Sequence, residues 1–397
     1  MPEFAQRMGT MAKSAAVIRN LFSSMTDPSV ISFGGGAPAK EALPIDALRE
    51  ICSDVMTADK LGPTMLQYGD PQGYRPLREA VCKYLLEPKN IVCNPEQLLI
   101  TTGGLETMNL ICQMYINPGD VILVESPTFV HCVEIFEMFQ ARCVSVVCDE
   151  NGMVMDDVER KIREYHPKMI YVVPTFQNPT GKTLPEERRK KLAELGSEYD
   201  LIVLEDDPYR DIRYSGKELP PIKTFDQTGN TVLANSFSKI FSPGARLGYV
   251  LATPEMTRLF YQIQTATISH TSMLPQVLCA EFFNRGYYPD HLKKTCAIHR
   301  ERRDKMMECL DKYFPAGTRH TFPDGGLFTW VELPGKIDTQ ALLPKALERK
   351  VAYIAGAGFY TDPGMGANTM RMSFSAVSPE RIELGMQRLG ELLQEEM

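Results

Sequence analysis

Apolar positions in this chain come in two textures. From about residue 96 to 252, short unbroken apolar runs alternate with stretches of helical spacing. The runs are "QLLITTGG", "DVILVESPTF", "RCVSVVCD", "MIYVVPTFQNPTG", "DLIVLEDDPY", "TVLANSFSKI" and "RLGYVLA". Continuous rather than alternating hydrophobicity marks strands buried on both faces. It predicts an α/β fold with a mostly parallel sheet between helices. One intervening helix is expected over 184–195, where Thr183 and Glu186 bracket Pro185 in a capping-box pattern.

From about residue 290 the texture changes. A long charged helix, "YPDHLKKTCAIHRERRDKMMECLDKYF", leads into antiparallel-looking strands "GLFTWVEL", "VAYIAG" and "TMRMSFS". The chain closes on an amphipathic helix started by Ser378–Pro379, with Ile382, Met386, Leu389 and Leu393 on one face. At the other end, residues 15–25 put Ile18, Leu21, Phe22 and Met25 at helical spacing, with Arg19 off that stripe. The expected organisation is an N-terminal helical arm over 1–30 and a large domain over 45–288. A smaller α+β domain would be assembled from 31–44 and 289–397.

Composition narrows the function classes. The 397 residues include 44% hydrophobic and 23% charged side chains, ordinary for a folded protein with a large core. A formal charge of −7 argues against nucleic acid or an anionic membrane as a general partner. Ten cysteines without a C-x-x-C pair read as reduced core residues. There is no apolar signal-peptide core and no run of about 18 apolar residues, so a cytoplasmic protein is expected.

Chemistry-bearing residues gather where the predicted strands end, the usual ligand side of such a sheet. "LLIT" runs into Gly103, Gly104 and Leu105 at a helix start, a place suited to phosphate. "LIVLED" ends at Asp206, with Tyr209 three residues on, and "IYVVP" leads to Asn178 in "NPTG". "TVLAN" ends at Ser236, Ser238 and Lys239, with Arg246 following. Two permanent cations and several hydroxyls between buried strands call for an anion. Rival motifs fail. "GKT" at 181–183 lacks the P-loop's first glycine, since Phe176 stands there, and Ser236-x-x-Lys239 has no K-T-G partner. His291, Cys296 and His299 lie in the charged helix without a second ligand cluster, so no metal site is expected.

Taken jointly, "TTGGLET", "ESPTF", "NPTG", "EDDPY", "SFSKIFSPGARLGY" and "RMSFS" are far more specific. In order, over nearly the whole chain, they resemble the fold-type-I pyridoxal-phosphate aminotransferases (class I/II, the aspartate aminotransferase superfamily). That resemblance implies pyridoxal 5'-phosphate bound through an imine to Lys239, with Asp206 on the pyridine nitrogen. It places Tyr209 and Asn178 on the phenolic oxygen and Phe129 on the ring. The phosphate would meet Gly103, Gly104, Leu105, Ser236, Ser238 and Arg246. Tyr68, in "LQYGDPQGY", matches the position that reaches the neighbouring subunit's phosphate, implying a homodimer with shared sites. Read alone, Tyr68 is a half-buried aromatic.

The same resemblance makes Arg371 the guanidinium that clamps an amino acid's α-carboxylate, with Asn178 beside it. The expected reaction is ping-pong transfer of an amino group from an L-amino acid to a 2-oxo acid. The pattern "SAAVIRNLFSSM…VISFGGGAPAKEALP" is closest to the 2-aminoadipate and kynurenine aminotransferase branch. There the N-terminal helix is a lid and an arginine matching Arg19 meets an acidic side chain. Gly36, in Gly35-Gly36-Ala37-Pro38, stands where that branch usually has "GGLP", and is assigned to the substrate site. Arg19 with Arg371 suggests glutamate and 2-oxoglutarate as one substrate pair. Two alternatives stay open: a carbon–sulfur lyase on the same scaffold, and a non-enzymatic sensing module like those of MocR regulators.

Overall fold

In the computed structural model, the described residues are Glu3, 5–9 and 27–396. The helix expected over 15–25, and Arg19 within it, lie outside them. The seven apolar runs form seven strands: β1 (Leu98–Thr101), β2 (Val121–Glu125), β3 (Arg142–Val146), β4 (Met169–Val172), β5 (Ile202–Asp206), β6 (Thr231–Ser236) and β7 (Gly248–Leu251). They make one sheet in the order β1-β7-β6-β5-β4-β2-β3. Only β7 runs against its neighbours; the other pairings are parallel.

Alternation along the strands explains why the runs are continuously apolar. Ile122, Val124, Met169, Tyr171, Ile202 and Leu204 pack into one core with the helices Gly104–Tyr115 and Val130–Met138. Leu123, Ile170, Val172 and Val203 pack into another with Met155–Tyr165 and Glu186–Glu198. β2, β4 and β5 therefore each have one helical layer on either face.

The last of these helices corrects the expected start. It begins at Glu186 after Pro185, which makes no side-chain cap bond. Thr183 is not the cap, because its hydroxyl accepts the Phe176 N–H at 3.3 Å.

A second sheet of four strands follows: β8 (Arg319–His320), β9 (Phe328–Glu332), β10 (Ile354–Ala355) and β11 (Thr369–Ser373), ordered β8-β9-β11-β10 and antiparallel throughout. "VAYIAG" is not one strand. Val351–Ala352 pairs in parallel with Ile31–Ser32, then the chain changes partner so that only Ile354–Ala355 joins the sheet. The helices Tyr288–Tyr313 and Pro379–Glu395 pack together on this part, with Ile382, Met386, Leu389 and Leu393 all buried. No described helix is long and apolar enough to cross a membrane.

Candidate active site

The reversal at β7 builds the site. β6 runs out to Ser236, the chain loops, and β7 returns from Gly248 along the same strand. Lys239 and Arg246, both in that loop, are thus carried to one edge. Gly248 sits between Thr101 and Ser236, bonded into both neighbouring strands. A side chain there would lie 2.8 Å from Asn235 O and from Thr101 Oγ1, so only glycine lets the three strand ends converge.

A cavity of about 140 Å³ opens at this convergence. Gly104, Leu105, Phe129, Asp206, Tyr209, Ser236, Ser238, Lys239 and Arg246 line it, with Met108, Cys132 and Pro208. Gly103, in the left-handed region at φ +86°, precedes the helix Gly104–Tyr115. A Cβ on Gly103 would come 2.6 Å from the Arg246 guanidinium, so glycine seats that cation against the helix start. Ser236 donates to Ser238 Oγ at 2.9 Å and accepts the Ser238 N–H. This end combines two hydroxyls, a helix N-terminus and a guanidinium without an ion pair among the described residues.

The opposite end is carboxylate and phenol. Asp206 is buried, forms no ion pair with a described residue, and accepts the Tyr171 hydroxyl on Oδ2 at 2.8 Å. Burial raises its carboxyl to about 7, the Tyr171 bond pulls the other way, and neighbouring Asp207 adds to the rise. Burial likewise raises the Tyr209 phenol, whose oxygen accepts from Asn178 Nδ2 at 3.4 Å.

Lys239 holds the middle. Its Nζ donates to Gly36 O at 2.7 Å, and burial, Arg246 and Arg371 together lower it to about 8. Arg371 reaches across from β11. It donates to Asn178 Oδ1 at 2.8 Å and to Gly34 O at 2.6 Å, while Nε is buried without a partner among the described residues. Its guanidinium lies 4.2 Å over the Phe328 ring, and burial lowers it to about 10. Gly36 is tight against the same ring, since a Cβ there would be 2.8 Å from Phe328 Cζ.

The structure therefore gathers all but two of the expected site residues. Tyr68 is the first exception. It is 85% exposed, edge-on to His270 and not in the cavity lining, so it is a surface aromatic rather than a half-buried one. Arg19 is outside the described residues. The helical trio is engaged separately: His299 Nε2 accepts the Ala39 N–H, Cys296 Sγ contacts Asp211 O, and His291 packs edge-on against Phe282. Sequence reasoning missed Tyr171 and Phe328, which both read as ordinary core positions in apolar runs. Only the register of the neighbouring strand, or the partner ring of Tyr209 and Arg371, distinguishes them.

The donor set fits pyridoxal phosphate. A lysine with part of its amine neutral near pH 8, an unpaired buried carboxylate and a polar, cationic cradle stand around one small cavity.

Comparisons with known proteins identify the family. The family model described as aminotransferase class I and II matches residues 29–389. The chain is 37% identical to aromatic-amino-acid aminotransferase 1 of Thermococcus litoralis over 392 residues, covering 98% of this chain and 93% of that protein. The solved kynurenine aminotransferase of Pyrococcus horikoshii, in complex with PMP, superposes with a TM-score of 0.94 at 35% identity, covering 99% of this chain and 97% of the other. LysN, the alpha-aminoadipate aminotransferase of Thermus thermophilus complexed with N-(5'-phosphopyridoxyl)-L-leucine, gives 0.90 at 32% identity, with 99% and 97% covered. A family model spanning residues 29–389, with relatives at 32–37% identity over nearly the whole chain, makes this chain a member of the class I and II aminotransferases, near the aminoadipate and kynurenine branch.

Proposed function

We propose that this protein uses pyridoxal 5'-phosphate to move an amino group between an L-amino acid and a 2-oxo acid by a ping-pong cycle, with glutamate and 2-oxoglutarate as one pair. The observation that carries the reading is the unpaired cation–carboxylate array: Lys239, Arg246 and Arg371 without ion pairs among the described residues, and Asp206 likewise. When bound, the cofactor supplies an aldehyde and an electron-withdrawing ring that stabilises negative charge at a substrate's Cα.

The chain's own groups divide the remaining work. Asp206 holds the pyridine N–H; Tyr209 and Asn178 hold the phenolic oxygen; Phe129 covers the ring. Ser236, Ser238, Arg246 and the amides after Gly103 bind the phosphate. Arg371 binds the α-carboxylate: each terminal nitrogen spends one N–H on Asn178 or Gly34 and keeps a second, and Nε bonds no described residue. Lys239 Nζ, lowered to about 8, is basic enough to take the Cα proton and acidic enough to return it. Glutamate needs a second cation for its side chain, the part assigned to Arg19. The exposed Tyr68 suits a residue that completes a neighbouring subunit's site in a homodimer. The divisions 45–288 and 31–44 with 289–397 are proposed as the two bodies between which substrate is held.

Mixing the purified protein with pyridoxal phosphate, then with a panel of amino acids and 2-oxoglutarate, tests this. A yellow protein, borohydride-trapped at Lys239 and forming glutamate, is expected. A colourless protein without a Lys239 adduct overturns the reading. Pyruvate and ammonia from cysteine-type substrates, with no acceptor needed, would move it to the lyase class.

A further inference from the structure

We propose that Tyr171 is a positioning residue for the proposed chemistry: its hydroxyl holds Asp206 as an anion aimed at the cofactor's ring nitrogen. The inference rests on the pyridoxal-phosphate reading above and extends it to a residue buried one layer behind the cavity.

The register creates the contact. Tyr171 in β4 stands opposite Leu204 in β5, and the period of two puts Leu204 and Asp206 on the same face. A tyrosine is long enough to reach that diagonal neighbour, and the hydroxyl arrives 2.8 Å from Oδ2. The ring is fully buried and fixed edge-on by Phe136 at 5.5 Å, so the donor has little freedom. Oδ1 accepts no hydrogen bond from a described residue, and Asp206 is part of the cavity wall. One oxygen is thus tied back and the other remains for a ligand.

The surrounding groups make this one donor matter. Asp207, Glu125, Cys132 and Tyr209 all stand close enough to interact with Asp206, and each is neutral or negative when it does. Burial and Asp207 favour the protonated carboxyl, and Tyr171 is the group that favours the anion. An anion there keeps a proton on the ring nitrogen, and a protonated ring draws electrons from the reacting end. A buried tyrosine that needed only some acceptor would have no such effect.

Tyr171→Phe in the holoprotein decides between them. The visible absorbance of the loaded protein titrates at the nitrogen contributed by Lys239, and positive charge on the ring opposes protonation there. Weakening the Asp206 anion should raise that pH midpoint by roughly half a unit or more, and weaken pyridoxal phosphate binding about tenfold. Turnover should fall while KM for the amino acid holds, because Arg371 is untouched. In an Asp206→Asn background the same substitution should move the midpoint far less. If Tyr171→Phe does not fold, a difluorinated tyrosine placed at 171, a stronger donor, should move the midpoint down instead. An unchanged midpoint and affinity, with only a lower melting temperature, would overturn the proposal. A wild-type protein that takes up no cofactor would instead sink the reading beneath it.

Discussion

Arg371 and Asn178 are 193 positions apart in the chain, yet the guanidinium donates to the amide oxygen at 2.8 Å. One residue is in β11 of the small sheet and the other follows β4 of the large one, so a single bond ties the two sheets at the cavity. Asn178 also donates to Tyr209 at 3.4 Å, so one amide joins the buried guanidinium to the buried phenol.

That fork geometry leads to the first prediction. Arg371→Lys keeps the charge but cannot bond Asn178, Gly34 and a carboxylate together. We expect kcat/KM for amino acids to fall by about 100-fold, in line with about 2–3 kcal/mol for a charged hydrogen-bonded contact. Most of the change should appear in KM, with cofactor affinity preserved. Steady-state kinetics with parallel cofactor titration checks this; a loss confined to cofactor binding would place Arg371 outside the substrate site.

Asp206→Asn should have opposite effects on stability and on function. The folded carboxyl sits near 7 while an unfolded one sits near its ordinary value, about 3.9. Between those values the folded state binds the extra proton, so this group's contribution to stability falls as pH rises through the window. At pH 8 the apoprotein variant should be more stable than wild type by up to about 4 kcal/mol, a difference that disappears towards pH 4. Cofactor affinity should drop by about 100-fold, since the pyridine nitrogen loses its anion. Chemical denaturation of the apoproteins at pH 4, 6 and 8 reads the slope, and a pH-independent difference would contradict it.

Much of this was legible in the chain, for physical reasons. Strands buried on both faces must be apolar throughout, so the seven runs located the sheet without structural knowledge. Groups with chemistry cannot be spared inside such runs and collect at their ends, which exposed Asp206, Lys239 and Asn178. What pairing decides was not legible. The sequence around "VAYIAG" reads as one strand, because a change of partner after Ala352 leaves no local mark. Tyr171 reads as core until β5 is laid beside it, and Thr183 reads as a cap until its hydroxyl turns to Phe176. Tyr68 carries no cue in this chain alone that it would be exposed.

Gly103→Ala tests the phosphate end. The residue has φ +86°, costly for any side chain by about 1–2 kcal/mol, and the new methyl would sit 2.6 Å from Arg246 Nη2. The guanidinium must swing away. Weaker binding of pyridoxal phosphate, by about tenfold or more, is expected, with a smaller loss for pyridoxal, which lacks the phosphate. Fluorescence titration of the apoprotein with the two compounds separates the cases. Equal losses for both would mean that strain, and not the displaced cation, is responsible.

Lys239 completes the set with the reverse slope to Asp206. Burial, Arg246 and Arg371 bring its amine to about 8 in the folded apoprotein, against about 10.4 in the unfolded chain. Between those values the unfolded state binds the extra proton, so this group's contribution improves as pH rises and is most unfavourable below pH 8. Lys239→Met should therefore stabilise the apoprotein at pH 7, by on the order of 2 kcal/mol, with the gain shrinking as pH approaches 10. The Gly36 O acceptor loses its donor in the variant, which trims the gain without changing its pH dependence. Opposite pH slopes from the two substitutions would show a site held, without its cofactor, in ionisation states that cost stability and that only a bound aldehyde and ring nitrogen relieve. If Lys239→Met is destabilising at pH 7 and its effect does not vary to pH 10, the lysine is an ordinary surface amine in that protein, and its neutral fraction at working pH is too small to accept a proton from Cα.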